Sequence, residues 1–238
     1  MISTKYKCVF IHIPRTGGCS IEECFNNTIS RDNPHHPLLI DIQQNRKYKK
    51  YFTFVFVRNP WDRLVSWFLW SHMDIVYYQW KSEKGEFYAT TNPERAWEKG
   101  KVIVQEKNTL LNQKFFLKFK NAFAVFVESL TPEDLIYNSS TDDYRKRYNR
   151  LKSKWIMPQV EWIKNEKGKI EIDFIGKYEN LQKDVNRLFK KLKLPKASLP
   201  YRGVIASRPP YARFYTKKTQ KIIEDLYAED IKKFKYKF

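Results

Sequence analysis

The chain has 238 residues, a formal net charge of +19, an aromatic content of 16% and a hydrophobic content of 42%. These contents exclude a disordered or low-complexity chain, and the length fits one α/β domain with insertions. The positive charge predicts an anionic partner, but it does not choose among nucleic acid, acidic polysaccharide, membrane surface and polyanionic cofactor.

The first predicted element is a buried strand over residues 6–13, which is rich in β-branched and aromatic residues. A loop with the sequence PRTGGCS follows and leads into a helix predicted over 20–25. Successive backbone amides in such a loop form a concave donor surface for phosphate or sulfate. The loop differs from a Walker A sequence, because Cys19 stands where a lysine would precede Ser20 and the cation is Arg15 instead.

The second element is a continuous apolar strand predicted over 51–57, which ends at Arg58. The helix after it has Asn59 as its predicted N-cap and Pro60 at its first position, and it carries Ser66. If the first two strands are parallel, Arg58 lies at the same sheet edge as the loop, where α/β proteins bind ligands. Two adjacent anion sites predict a ligand with two separated phosphate groups.

The rest of the chain continues to alternate between strands and helices. Strands are predicted over 122–127 and 170–175, helices over 179–192 and 216–234, and a proline-rich loop over 194–210. An aromatic segment over 74–119, with short helices and a loop around 81–93, is predicted to be a substrate-facing insertion. We therefore expect residues 1–238 to form one three-layer α/β/α domain with a central parallel sheet, of the P-loop-like kind.

The three cysteines Cys8, Cys19 and Cys24 lie close together in the sequence and cannot all pair. This favours a reducing compartment over a disulfide-built secreted domain. No CxxC pair is present and the chain has only four histidines, so a metal site is not expected. Because no apolar run has the length of a membrane span or a signal peptide, we expect a soluble cytoplasmic protein.

The two motifs together resemble those of sulfotransferases that use 3′-phosphoadenosine-5′-phosphosulfate (PAPS). The loop reads HIPRTGGCS and is similar to the family's 5′-phosphosulfate loop, typically PKTGGTS. The second motif reads FVFVRNPWDRLVSWF and is similar to the 3′-phosphate element. The resemblance is to the carbohydrate branch, which contains enzymes like heparan sulfate 2-O-sulfotransferase. It extends to IGKYENLQKDVNRLF and to the C-terminal segment, and it is weak over 74–162.

The resemblance implies that PAPS is the sulfuryl donor and that a carbohydrate hydroxyl is the acceptor. It assigns the 5′-phosphosulfate to the loop residues Pro14, Arg15, Thr16, Gly17, Gly18, Cys19 and Ser20. It assigns the 3′-phosphate to Arg58 and Ser66, and it places Ser207 and Arg208 in a segment that covers the nucleotide. This sequence departs from the family pattern at two positions, because Arg15 replaces a lysine and Cys19 replaces a threonine.

The resemblance also implies in-line transfer, in which positioning and charge stabilisation supply most of the catalysis and a metal is not required. Arg15 is the candidate cation for the leaving group. A hydroxyl acceptor needs a general base, which histidine supplies best near neutral pH. In the family a histidine often lies between the first loop and the second strand, and here His36, with His35 beside it, occupies that interval. We expect His12 and His72 to be structural.

Two other functions stay open on the residues alone. A P-loop nucleotide kinase would use a similar loop, although Asp173 is the only weak candidate for a Mg²⁺ ligand. A non-catalytic nucleic-acid-binding module would exploit the positive charge, although no reader motif is present and nucleic acid is not the partner that we expect. The carbohydrate acceptor could be an acidic polysaccharide, a glycolipid or a small glycoside, and no feature of the sequence indicates an oligomeric state.

Overall fold

The computed structural model describes residues 1–25, 36–71, 79–81, 86–88, 109–136, 155–200 and 210–238. The strands are β1 (Ile2–Ser3), β2 (Cys8–Ile11), β3 (Phe52–Val57), β4 (Gln79–Lys81), β5 (Glu86–Tyr88) and β6 (Phe174–Lys177). The α-helices are α1 (Gly18–Cys24), α2 (Leu39–Gln43), α3 (Pro60–Ser71), α4 (Thr109–Glu128), α5 (Leu181–Lys191), α6 (Lys217–Leu226) and α7 (Ala228–Phe234). Short 3₁₀ helices span Pro132–Leu135, Gln159–Trp162, Tyr178–Asn180 and Tyr211–Phe214.

A mostly parallel sheet with the strand order β1-β2-β3-β6 lies at the centre of the fold. In the parallel part, Ile11 pairs with Val55 and Val57 pairs with Lys177, whereas β1 pairs with β2 in the antiparallel direction. Parallel strands that are buried on both faces need continuous apolar sequences, and β2 and β3 have them. The carboxyl ends of β2, β3 and β6 therefore meet at one edge of the sheet.

Helices cover both faces of this sheet. Phe10, Phe54 and Phe56 point to one face, where they pack with apolar residues of α1 and α5. Val55 and Val57 point to the other face, where they pack with residues of α2, α3, α4, α6 and α7. Each face thus has its own buried apolar cluster, and the predicted three-layer α/β/α architecture is confirmed.

The predicted start of α3 is confirmed as well. Asn59 is the N-cap, because its Oδ1 accepts the amide N–H groups of Trp61 at 3.1 Å and Asp62 at 3.3 Å. Pro60 is the first residue of the helix, a position where no backbone donor is needed. The cap fixes the direction in which α3 leaves the sheet, and with it the position of Ser66.

The strand predicted over 122–127 is wrong, because these residues belong to α4. A short apolar run does not distinguish a strand from a buried helix. The helical period buries Phe123 and Val127, whereas Val125 between them is 71% exposed. Although α4 is a long helix, none of the helices in the described part of the chain combines the length and the apolar content needed to cross a membrane.

Three other predicted boundaries are corrected. The strand predicted over 170–175 begins at Phe174, because the residues before it form a turn with an isolated bridge. The helix predicted over 216–234 is two helices, since Tyr227 between them leaves the helical conformation. A loop is predicted around 81–93, but β4 and β5 form a small antiparallel hairpin there.

Phe54 offers a test of the aromatic cluster between the sheet and α1. Its ring is fully buried and stacks on Phe10, with 4.9 Å between the ring centroids. We expect Phe54→Ala to lower the free energy of unfolding by about 3–5 kcal/mol, because the lost ring leaves a cavity in a packed core. Urea unfolding followed by circular dichroism measures this change.

The matched control for this measurement is Val125→Ala, because Val125 lies mostly in solvent. Its effect on the free energy of unfolding should stay within about 0.5 kcal/mol. Equal losses in the two variants would contradict the burial of Phe54.

Candidate functional site

The site lies at the edge of the sheet where the three parallel strands end. The loop 13–20 leaves β2, Arg58 follows β3, and Tyr178 follows β6. Because β3 lies between the other two strands, Arg58 is adjacent both to the loop and to Tyr178. The sequence-predicted residues of the two anion motifs are thus brought together by strand pairing alone.

The loop has a conformation that leaves several amides without acceptors. Arg15 has a φ of 68° and Gly17 a φ of 85°, so the chain turns twice through the left-handed region. The buried Thr16 hydroxyl donates to the carbonyl oxygen of Ile13 at 2.8 Å and holds the turn closed. In the described part of the chain, the amides of Thr16, Gly17 and Gly18 donate to no carbonyl oxygen. Three successive unpaired amides can bind one anion.

The two glycines allow other side chains to pack directly on the loop backbone. A Cβ atom on Gly18 would lie 1.9 Å from Nε2 of His12, and a Cβ on Gly17 would lie 2.8 Å from Cδ2 of Leu181. The His12 ring therefore lies against one side of the loop and the start of α5 against another. The glycines are required for packing as well as for access to an anion.

Arg15 connects the loop to α3. Its Nε donates to the hydroxyl oxygen of Ser66 at 3.2 Å, and its guanidinium lies 5.7 Å from the ring centroid of Trp70. Trp70 stacks on Trp155, with 5.5 Å between the ring centroids. Because the Ser66 oxygen accepts from Arg15, its own O–H group remains a donor. The arrangement places the two cationic motifs in direct contact.

Arg58 is held on several sides. Its Nε donates to a carboxylate oxygen of Asp62 at 2.8 Å, and its Nη1 donates to the carbonyl oxygen of Arg15 at 2.9 Å. The guanidinium lies 3.9 Å from the ring centroid of Tyr178, which is a close cation–π contact. Within the residues that the structure describes, Nη2 of Arg58 has no hydrogen-bond partner. The side chain is therefore rigidly oriented and still has donors for an anion.

Gln159 holds the backbone of Arg58 through two hydrogen bonds. The Gln159 Oε1 accepts the Arg58 amide N–H, and its Nε2 donates to the Arg58 carbonyl oxygen, both at 2.8 Å. Asp230 on α7 in turn accepts the backbone N–H groups of Gln159 and Val160, each at 2.8 Å. Burial raises the pKa of Asp230, and the bonds from these two amides act in the opposite direction. The C-terminal helix thus orients the end of β3.

Arg63 joins the loop to the segment that contains Trp155. It is only 3% exposed, and it donates to the carbonyl oxygens of Pro14 at 3.2 Å, Met157 at 3.0 Å and Trp155 at 2.9 Å. A buried guanidinium needs hydrogen-bond acceptors, and here each of its three nitrogens donates to one carbonyl oxygen. Arg63 therefore fixes the start of the loop relative to the wall formed by residues 155–162.

His36 packs beside His12, the residue that follows β2. Its φ is 75°, and its Nδ1 lies 2.6 Å from the carbonyl oxygen of His12. A carbonyl oxygen can only accept, so Nδ1 carries the proton and the neutral ring has its lone pair on Nε2. The ring also contacts Trp155, with 5.0 Å between the ring centroids. This is the tautomer in which Nε2 can accept a proton from a substrate.

The structure brings together most of the predicted site residues. The described part contains Pro14, Arg15, Thr16, Gly17, Gly18, Cys19, Ser20, His36, Arg58 and Ser66. Cys19 is exposed and Ser20 is 5% exposed, although the two residues are adjacent in the first turn of α1. His35, Ser207 and Arg208 lie outside the described residues, as does His72. Asp173 bonds to Thr53 at the opposite end of β3, so it does not face the loop.

Sequence reasoning missed Gln159, Asp230 and Arg63. Gln159 and Asp230 are 71 residues apart and reach Arg58 only through the fold, so no local pattern could reveal them. Arg63 could have been identified from the sequence, because it is a charged residue among the mostly apolar buried residues of α3. Tyr178 lies in the segment KYENL, where the sequence predicts the start of a helix. The contact of Tyr178 with Arg58 is not predicted by the sequence.

A known protein family matches the chain over almost its full length. The family model is described as the sulfotransferase family, and it matches residues 1–237. No curated protein and no solved structure matches the chain. The match includes both motifs, the central sheet and the C-terminal helices, so it covers every element that contributes to the site.

The packing of His12 on Gly18 gives a direct test of the loop geometry. We expect Gly18→Ala to lower the free energy of unfolding by about 1–3 kcal/mol, because the new methyl group would overlap the imidazole. Cys19→Ala is the control, since Cys19 is exposed and its replacement meets no such contact. Thermal unfolding compares the two variants. Equal melting temperatures would contradict the contact between His12 and the loop.

Proposed function

The chain belongs to the sulfotransferase family, and we propose that it transfers the sulfuryl group of PAPS to a hydroxyl group of a carbohydrate. Family membership makes the chain a sulfuryl transferase. The observation that carries the finer proposal is a pair of adjacent donor groups at the sheet edge, each of which we propose as an anion site. One consists of the unpaired loop amides with Arg15, and the other consists of Arg58 with Ser66. Two such sites fit a donor with two separated phosphate groups.

The residues present fit both ends of this donor. The 5′-phosphosulfate would be bound by the loop residues Pro14, Arg15, Thr16, Gly17, Gly18, Cys19 and Ser20, with the amide N–H groups after Pro14 and the Arg15 side chain as donors. Arg58 Nη2 and the Ser66 O–H group would bind the 3′-phosphate, because both are donors that the protein contacts leave available. Ser207 and Arg208 stay predicted nucleotide contacts, since they lie outside the described residues.

Charge stabilisation is the contribution proposed for Arg15. When bound, PAPS supplies an activated sulfuryl group whose leaving group is a phosphate. Ser66 and Trp70 hold the Arg15 guanidinium at the loop, where its positive charge would stabilise the negative charge that develops on the leaving oxygen. An arginine offers a planar fork in place of the single ammonium of the family's lysine.

The general base proposed for the acceptor is His36, with His35 as the second candidate. Because Nδ1 donates to the His12 carbonyl, a neutral His36 ring has its lone pair on Nε2, and Nε2 is the atom that would act as the base. The same ring contacts Trp155, which stacks on the Arg15-contacting Trp70. The base and the cation therefore share one aromatic wall, and an acceptor hydroxyl between them could lose its proton as the sulfuryl group arrives.

The acceptor is proposed to be a carbohydrate, either an acidic polysaccharide or a glycolipid. The net charge of +19 favours an acidic acceptor through long-range attraction. Trp70 is 37% exposed beside Arg15, and an exposed indole is suited to packing on a sugar ring. In this proposal residues 1–238 form one sulfotransferase domain, and the segment 74–119 contributes to acceptor binding.

Donor binding is tested by calorimetric titration with adenosine 3′,5′-bisphosphate. We expect Arg58→Ala to weaken binding about tenfold to a hundredfold, because it removes charge-assisted hydrogen bonds worth about 1.5–3 kcal/mol. Arg46→Ala is the matched control, since it makes the same change at an exposed position. Adenosine 5′-phosphate should bind more weakly than the bisphosphate and should not distinguish wild type from Arg58→Ala.

Two results of this titration would overturn the donor assignment. One is the absence of binding by the wild type, and the other is equal affinity for the two nucleotides. A nucleic-acid-binding function would then become the better explanation of the positive charge.

The base is tested by sulfuryl transfer from ³⁵S-labelled PAPS to a panel of glycans. We expect His36→Ala to lower kcat about 10²- to 10⁴-fold, the usual contribution of general base catalysis. Affinity for adenosine 3′,5′-bisphosphate should change little, because His36 is not among the residues proposed to bind the donor. His72→Ala is the control, because the proposal gives His72 no role. Full activity of His36→Ala would assign the role to another group, with His35 tested next.

A further inference from the structure

His12 is a buried imidazole between two aromatic rings. It is 8% exposed, stacks on Phe10 with 5.3 Å between the ring centroids, and contacts His36 with 4.3 Å between the centroids. Its carbonyl oxygen accepts the Nδ1–H group of His36. One residue therefore contacts the proposed base twice, with its ring and with its backbone.

Glu22 on α1 fixes the orientation of the His12 ring. A carboxylate oxygen of Glu22 accepts from Nδ1 of His12 at 2.8 Å. Burial alone would raise the pKa of Glu22, but the hydrogen bond and the charge of His12 outweigh it and the pKa lies below its ordinary value. The side chain of Glu22 is thus a carboxylate at neutral pH, which makes it a strong acceptor.

The pair also contacts the loop. Nε2 of His12 would overlap a Cβ atom on Gly18, so the ring packs against the loop backbone, and it also contacts the His36 ring at an interplanar angle of 58°. An apolar ring would fill the same space without the cost of burying a polar group. The hydrogen bond to Glu22 offsets that cost and also sets the rotation of the ring, which an apolar residue could not do.

From these contacts we propose that Glu22 and His12 are positioning residues that hold the His36 imidazole in a fixed position relative to the loop 13–20. The catalytic consequence rests on the proposed function, in which His36 is the base. Neither residue touches the reacting atoms in this proposal. Glu22 acts on His12 through the hydrogen bond, and His12 acts on His36 through ring contact and on Gly18 through packing.

The test uses Glu22→Ala, Glu22→Gln and the matched control Glu23→Ala. Glu23 is the next residue of the same helix and is exposed, so its variant makes the same chemical change away from His12. Long-range ¹H–¹⁵N spectra of the imidazoles report the tautomer and environment of each of the four histidines. We expect the His36 signals to show protonated Nδ1 in the wild type. They should shift in Glu22→Ala and stay at wild-type positions in Glu23→Ala.

Glu22→Gln should restore most of the wild-type behaviour. Its amide oxygen can accept from His12 Nδ1, so it preserves the positioning bond without the charge. In the transfer assay we expect kcat of Glu22→Ala to fall about tenfold to a hundredfold, the size expected for a misplaced catalytic group. Affinity for adenosine 3′,5′-bisphosphate should fall less, because Glu22 is not one of the residues proposed to bind the donor.

A double variant separates positioning through His12 from any independent effect of Glu22. His12→Phe keeps the ring stacking but cannot donate to Glu22, so it should resemble Glu22→Ala. If Glu22 acts through His12, the double variant should lose no more activity than the worse single variant. Additive losses would overturn the proposed chain of contacts.

The spectra test the positioning role and the assay tests the proposed function, so failure of one can be distinguished from failure of the other. Unchanged His36 signals in Glu22→Ala would overturn the positioning role, whether or not the protein transfers sulfate. A wild type that is inactive on all acceptors, with shifted His36 signals in Glu22→Ala, would instead contradict the proposed function and support the positioning contacts. A loss of kcat in Glu23→Ala equal to that in Glu22→Ala would also overturn the proposal.

Discussion

The parallel pairing of β2, β3 and β6 is the constraint on which the rest of the structure depends. It places β3 in the middle, so Arg58 emerges between the loop after β2 and Tyr178 after β6. A shift of β3 by one residue would reverse which side chains face each layer, and it would move Phe54 out of its aromatic cluster. The two buried clusters therefore fix the register, and the register fixes the position of Arg58 relative to the loop after β2.

Buried charge is the second constraint at this edge. Arg58 and Arg63 are 5% and 3% exposed and Asp230 is fully buried, and charges in such positions cost several kcal/mol each unless they are paired or hydrogen-bonded. Backbone carbonyls and amides satisfy most of these groups, with Asp62 beside Arg58. The donors are consequently oriented before any ligand arrives, so little reorganisation is needed when an anion binds.

Local sequence was sufficient for the features that a few consecutive residues determine. The apolar runs of β2 and β3, the Asn59–Pro60 helix start and the glycine-rich loop are each encoded within about ten residues, and each is present. The contact between the two arginine motifs also followed, because parallel strands share an edge. Features that depend on distant segments did not follow. The position of Gln159 depends on Asp230 of α7. The segment AFAVFV is helical because the surrounding layers bury only one side of it.

Arg15 and His36 share an unfavourable backbone conformation. Both are non-glycine residues in the left-handed region, where an L side chain is disfavoured by about 1–3 kcal/mol at strained sites. Glycine would relieve the strain at either position, but it would remove the guanidinium or the imidazole. With the roles proposed for Arg15 and His36, selection for stability and selection for activity act in opposite directions at these two positions. A library screened only for folding should enrich glycine or asparagine there, and retention of the native residues would mark selection for function.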